Sequence, residues 1–233
     1  MPDTDIQLWE AARATWEREV RIEASRAKAA SFALVAMAVL FGVKLVGTVV
    51  PVPFGSPPVV EIGVLVATAV LFLRWLAQAV TLPAVMGSAP LRWTSSGAVW
   101  SFFLPIFGLW RPFYVVRELY DHFTPNGVPE PAPKPRLDGS GGYRHVEMVS
   151  APPPRAIVNA SIGAWWGFFV AARLIGDGSG ALLYPALSDT LSIISAVLAV
   201  LVVRSIDGRI AERFRRLAHA SDDELAAWQI RVA

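Results

Sequence analysis

The chain has 233 residues, 54% of them hydrophobic and 17% charged, and its mean hydropathy is +0.46. Soluble domains run nearer half apolar and a quarter charged, so the composition excludes an ordinary soluble domain and indicates an integral membrane protein. The formal net charge is only +2, with Lys and Arg clustered beside apolar runs, which points to a membrane surface and away from nucleic acid. The absence of cysteine excludes disulfides, thiolate nucleophiles, iron–sulfur ligation and cysteine zinc sites.

From Thr4, with Gln7 completing a capping box, a helix can begin. Ile6, Trp9, Ala12, Trp16 and Val20 share one face, and Glu10, Glu17, Arg18 and Arg21 lie opposite. Segment 1–29 is therefore expected to be an amphipathic helix on the cytoplasmic surface with its tryptophans at headgroup depth; the alternative is a helix leaning on the rest of the protein. It is too long and too charged for the n-region of a cleavable signal peptide, so the first span should stay attached.

Region 30–80 reads as a transmembrane hairpin. Its spans are 30–50 and 59–80, each long enough for a hydrocarbon core of about 30 Å, and the Pro-rich stretch 51–58 between them cannot continue a helix. Region 81–123 is different. Residues 98–110 are apolar but cover only about 20 Å as helix, Arg111 closes them, and Pro105 and Pro112 should each interrupt the backbone hydrogen bonding. Backbone freed in this way survives at membrane depth only when buried in protein or facing a cavity, so a re-entrant or interfacial hairpin is expected. Phe113, Val116, Tyr120 and Phe123 then share a face, with Arg117, Glu118 and Asp121 off it, as in a surface helix.

Residues 124–155 are rich in Pro and Gly and read as a cytoplasmic linker. The second transmembrane hairpin is 156–203. Its first span, 156–176, carries Gly163, Gly167 and Ala171 at four-residue intervals, a small-residue ladder that should pack on a neighbouring helix, with Trp165 and Trp166 pointing elsewhere. A turn at Asp177-Gly-Ser-Gly leads to the last span, 182–203. In 204–233, the arginines Arg204, Arg209, Arg213, Arg215 and Arg216 surround Ile206, Ile210, Phe214 and Leu217, which is the pattern of a basic juxtamembrane helix. Arg204, Arg209, Arg213 and Arg216 are its expected lipid-binding residues. Ser221 and Glu224 cap a short final helix.

Basic residues fill the N-terminal arm, the central region and the C-terminus, and are missing from the turns at 51–58 and 177–181. The positive-inside rule then places both termini and 81–155 in the cytoplasm, at the cell membrane, with four spans; a fifth at 98–120 would put a basic flank outside.

The stretch from Thr94 to Tyr120, TSSGAVWSFFLPIFGLWRPFYVVRELY, resembles the signature of a bacterial multi-pass membrane family, domain of unknown function 4328. The agreement rests on Pro105, Ile106, Leu109, Trp110, Arg111, Pro112, Arg117, Glu118 and Leu119, with Trp165-Trp166 fitting in a later span, and covers roughly 34–206. Gly108 stands where the family has Asn, Ser96-Gly97 where it has Pro-Gly, and Tyr120 where it has Trp. Gln78, Thr81 and Leu82 replace the polar and basic residues it tends to carry after the second span. The resemblance implies this architecture and supplies no activity.

Among ionisable residues in spans, Lys44 and Arg173 lie near the outer helix ends and Glu61 begins the second span, so snorkelling or a Lys44–Glu61 pair accounts for them. Arg111 could bind a lipid phosphate, pair with Glu118, cap freed carbonyls, or snorkel. Catalytic patterns are missing. His122, His145 and His219 are isolated, Ser140 and Ser179 lack the surroundings of a nucleophile elbow, and Ser25-Arg-Ala-Lys28 has no companion motif. The expectation is an all-α polytopic membrane protein: four transmembrane helices, a broken central segment and amphipathic terminal helices, without enzyme activity, metal or cofactor. Its candidate functional motif is Pro105, Gly108, Trp110, Arg111, Pro112, Arg117 and Glu118. The expected role is a module engaging lipid headgroups, a partner protein or a second copy through its cytoplasmic face; the alternative is a small transporter or channel with the broken segment lining a pathway.

Overall fold

A computed structural model of the chain describes residues 3–49, 57–85, 91–104, 108, 110–123, 159–176 and 183–218. The turns expected at 51–56 and 177–180, the 124–155 linker, the helix from 221, and Pro105, His145, His219, Ser140 and Ser179 lie outside these residues. So do the side chains of Thr4, Ile6, Gln7, Trp9, Ala12 and Arg216.

The described residues form six helices and no strand: α1 (Asp3–Val49), α2 (Pro58–Val85), α3 (Ser95–Trp100), α4 (Arg111–His122), α5 (Asn159–Gly176) and α6 (Leu183–Ala218). Three of them, α1, α2 and α6, are long and apolar enough to cross a membrane, and α5 is a shorter apolar helix. The expected break between the N-terminal arm and the first span does not occur, because α1 runs unbroken for 47 residues. The physical reason is in the sequence: no Gly or Pro falls between Asp3 and Phe41, and the junction around residues 27–31 is mostly Ala, the strongest helix former. The last span likewise continues without interruption into the arginine-rich tail as the 36-residue α6.

α2 and α6 both run antiparallel to α1. Near one end, Lys44 Nζ lies 3.5 Å from Glu61 Oε2 of α2 and 3.7 Å from Asp189 Oδ1 of α6. Toward the other end, Trp75 of α2 donates to Glu23 of α1 at 2.8 Å, and Asp207 of α6 faces the same Glu23. α5 returns antiparallel along α6, with Ser188 and Ser195 donating to the carbonyls of Ala172 and Trp165 at 3.0 and 3.4 Å.

Exposure divides the bundle in two. A belt of exposed apolar side chains surrounds it, formed by Phe32, Val35, Val39, Val43 and Val46 on α1, Val59 to Val70 on α2, Leu174 on α5, and Leu187 to Leu201 on α6. Below the belt the exposed residues include the basic Arg18, Arg21, Lys28, Arg74 and Arg204. The tightest packing lies at this basic end, where Trp75, Leu76, Ala79, Leu82, Val116, Leu119, Ile206 and Ile210 are fully buried. Each such large apolar side chain contributes about 1.5–3 kcal/mol of burial. Arg74 is exposed four residues past Val70, within the apolar helix α2. One expectation is corrected. Trp16 is buried in the protein core, so the N-terminal arm does not lie out on a headgroup layer along that face.

Candidate functional site

The central segment is built from local signals. Thr94 caps α3 by accepting the Gly97 N–H at 3.1 Å. After a turn at 101–103, the Gly108 N–H donates to the Leu104 carbonyl at 2.5 Å. A Cβ on Gly108 would meet the Ser101 carbonyl at 3.4 Å, an ordinary contact, so glycine is not required there to avoid a clash. Pro112 was expected to break the backbone. It instead occupies the first turn of α4, where its missing N–H has no intrahelical partner to lose and its fixed φ favours the helix.

Phe102 wedges this segment between α2 and α5. Its ring centroid lies 5.9 Å from those of Phe72 and Trp166, and Phe72 in turn meets Trp165 at 5.9 Å. Trp100, Phe103, Trp110 and Tyr114 point outward and are exposed. The Arg111 guanidinium lies 5.8 Å over the Trp93 ring. Glu118 Oε1 accepts the backbone N–H of Arg92 at 2.9 Å, and Arg117 sits 3.6 Å from Asp121. The motif residues thus tie the segment to itself while leaving an aromatic rim outside.

α4 buries Val115, Val116, Leu119 and Tyr120 against the basic-end core, so its apolar face meets protein. That docking uses two arginines expected to bind lipid. Arg209 lies 3.6 Å over the Tyr120 ring, hydrogen-bonds the Tyr120 hydroxyl and donates to its carbonyl at 3.3 Å. Arg213 is only 5% exposed, lies 5.7 Å from the Phe123 ring and donates to the His122 carbonyl at 3.5 Å. Of the four proposed lipid contacts, Arg204 alone is exposed among the described side chains. The apolar run Ile206, Ile210 and Phe214 turns inward and takes the neighbouring arginines with it. Burial and the nearby Arg213 charge push His122 down to about 4, and burial outweighs the pull of Arg117 to raise Asp121.

A second polar layer joins α1 to α2. Gln78 accepts from Arg26 at 2.6 Å and donates to Glu19 at 2.7 Å, bridging two charges of opposite sign. Next to it Glu23, 0% exposed, takes its bond from Trp75 with one oxygen while the other has no hydrogen-bond partner.

Above this core the helices part. A cavity of about 670 Å³ is lined by all four long helices and the central segment, including Leu34, Phe41 and Lys44 of α1, Thr68 and Phe72 of α2, Phe102, Leu104 and Gly108, Trp165, Trp166, Phe169 and Arg173 of α5, and Ser188, Asp189, Ser192 and Ser195 of α6. Its inner end is aromatic. Its other end holds Lys44, Asp189 and Arg173, the last lying 5.4 Å over the Phe169 ring. Asp189 is 4% exposed and its Oδ2 has no hydrogen-bond partner. Among the described residues no group of three His, Asp or Glu converges as a metal site would require.

Sequence reasoning found Lys44 and Glu61 but missed Asp189 and Glu23. Both carried a signal. Asp189 is an acid inside an apolar run, and Glu23 follows Trp16 and Val20 at helical spacing on the buried face. The small-residue ladder behaves differently from expectation: a Cβ on Gly163 would meet Phe113 of α4 at 3.9 Å, and one on Gly167 would meet nothing within 4 Å. α5 instead packs through Ile162, Trp165, Trp166 and Ala172, and Ala171 is only partly buried.

No curated protein and no solved structure matches the chain. A family model does, over residues 56–208, and the chain belongs to that family, the domain of unknown function DUF4328.

Proposed function

We propose that this protein is a non-enzymatic membrane protein of four spans, seated in the cell membrane with both termini in the cytoplasm, that holds a small amphipathic molecule among its helices. The observation that carries the reading is the cavity of about 670 Å³, whose size and mostly apolar wall suit a ligand of drug-like dimensions. The solid core below it, around Trp75, Leu76 and Val203, supports a blind pocket more than an open channel. The central segment closes one side through Phe102, Phe103 and Leu104, a role in keeping with broken elements that border intramembrane sites. The short α5 serves as the fourth span, since the even distribution of basic residues requires one.

The test is photo-crosslinking in lipid nanodiscs with a diazirine-bearing dodecanol, followed by mapping of the adducts. The reading expects saturable adducts on Phe41, Phe72, Phe102 and Trp165. Adducts confined to belt residues such as Val35, Val39 and Val66 would overturn it.

A second reading, engagement of lipid headgroups by the central segment, is favoured by the exposed Trp100, Trp110 and Tyr114 beside Arg111, an interfacial aromatic set next to a cation. Replacing Trp100, Trp110 and Tyr114 with Ser should then weaken co-purification of anionic phospholipid, and unchanged lipid content would count against it.

A further inference from the structure

The wall of the cavity has an unusual hydrogen-bonding balance. Thr68 spends its hydroxyl proton on the Val64 carbonyl at 2.7 Å, with Ala33 O a second acceptor at 3.2 Å. Ser188 and Ser195 spend theirs on Ala172 O and Trp165 O. Each hydroxyl has a single proton, so these three side chains present the cavity with acceptor lone pairs only. The buried Asp189 adds Oδ2, an acceptor by nature and without a partner. Lys44 does not reach it: its ammonium is shared at 3.5 and 3.7 Å between Glu61 and Asp189 Oδ1, both looser than a charge-assisted hydrogen bond of about 2.7–2.9 Å. Arg173, exposed at the rim, lies against Phe169.

The rest of the wall is apolar and includes aromatic rings, whose negative faces attract cations. Phe72, Trp165, Trp166 and Phe169 supply four rings. An unmet buried acceptor is costly, so a ligand that donates there relieves that cost.

We infer that the cavity takes a lipophilic amine, its protonated nitrogen donating to Asp189 Oδ2 and its apolar body lying against Phe72, Trp165 and Phe169. This rests on the cavity being a ligand site, as proposed above. Specificity then comes from donors: an alcohol of the same body fits but satisfies Asp189 with a neutral bond, and a carboxylate brings a further anion beside Asp189 and Glu61, which already share Lys44.

The experiment measures binding of 4-(4-bromophenyl)butylamine, the matching alcohol and the matching butanoate to the full chain in phosphatidylcholine nanodiscs. The readout is bromine quenching of tryptophan fluorescence, with protein-free nanodiscs subtracting partition. The amine is expected to bind about tenfold tighter than the alcohol, and the butanoate weakest. Asp189→Asn should erase the amine's advantage while leaving alcohol binding in place. A butanoate that binds as tightly as the amine overturns the inference on wild-type protein alone, whatever the variant's folding, and so does an amine preference that survives Asp189→Asn. If none of the three binds saturably, the ligand-site reading itself fails and takes the inference with it.

Discussion

Replacing Arg209 with Ala should destabilise the protein far more than replacing Arg204. Arg209 makes a cation–π contact at 3.6 Å with Tyr120, a hydrogen bond to its hydroxyl and another to its carbonyl at 3.3 Å. At this half-buried site the cation–π contact contributes about 0.5–2 kcal/mol, and each hydrogen bond about 1 kcal/mol net. The total loss is then about 2–4 kcal/mol, against roughly 0.5 kcal/mol or less for the exposed Arg204. Tyr120→Phe keeps the stack and loses one bond, so it should cost about 1 kcal/mol. Arg209→Lys keeps the charge but not the planar fork, and should recover less than half of the loss. The assay is unfolding of the purified protein by SDS titration in mixed micelles, followed by circular dichroism. If Arg209→Ala and Arg204→Ala unfold at the same SDS fraction, Arg209 is a headgroup contact after all and the docking of α4 on α6 is misassigned.

Acidification should destabilise the fold through His122. The unfolded side chain protonates near pH 6.5 while the folded one stays neutral until about 4, so its stabilising contribution is complete above 6.5 and is lost as pH falls toward 4. The loss is at most about 3 kcal/mol. Asp121, raised by burial, works in the opposite sense at the acid end. The histidine is therefore read from the difference between wild type and His122→Gln, which should show a flatter pH profile; parallel profiles would exclude His122. Trp75→Phe removes the indole bond to the buried Glu23 and shrinks a fully buried ring, for a loss of about 2–4 kcal/mol. In a double-mutant cycle with Glu23→Leu the two losses should couple by more than about 1 kcal/mol, and strict additivity would remove the bond from the account. Single cysteines at 56, 95, 140 and 179 should label from outside the cell only at 56 and 179, and external labelling at 140 would reverse the topology.

Much of the architecture was legible because it depends on local signals. Apolar runs announced the helices, and the shared face of Val116, Tyr120 and Phe123 announced the buried side of α4, whereas Pro112 starts that helix where a break was expected. What periodicity could not supply was the partner of each face. A helix with arginines beside an apolar stripe reads the same whether the stripe meets lipid or protein, and only tertiary packing sends Arg209 onto Tyr120 and Trp16 into the core. The unbroken α1 could have been read from its lack of Gly and Pro, but the change from charged to oily residues suggested a boundary that the backbone does not respect. The cavity needs four helices at once, and no single stretch encodes it. Its acid, Asp189, was visible as the one charged residue between Leu183 and Val203.

The unbroken helices have a mechanical consequence. Between Lys44, beside the cavity, and Glu23, in the basic-end core, α1 runs 21 residue steps, about 31 Å, without a glycine hinge between Glu23 and Phe41. Its antiparallel partner α6 is continuous over the matching stretch from Asp189 to Asp207. A stiff rod cannot absorb a disturbance at one end by bending in the middle. A tilt of about 3° set by an occupant near Lys44 would displace the Glu23 end by about 1.6 Å over that length. There the rods meet α2 through Trp75 and α4 through Arg209, so the far end of the lever is clamped to two helices of the family-matched region.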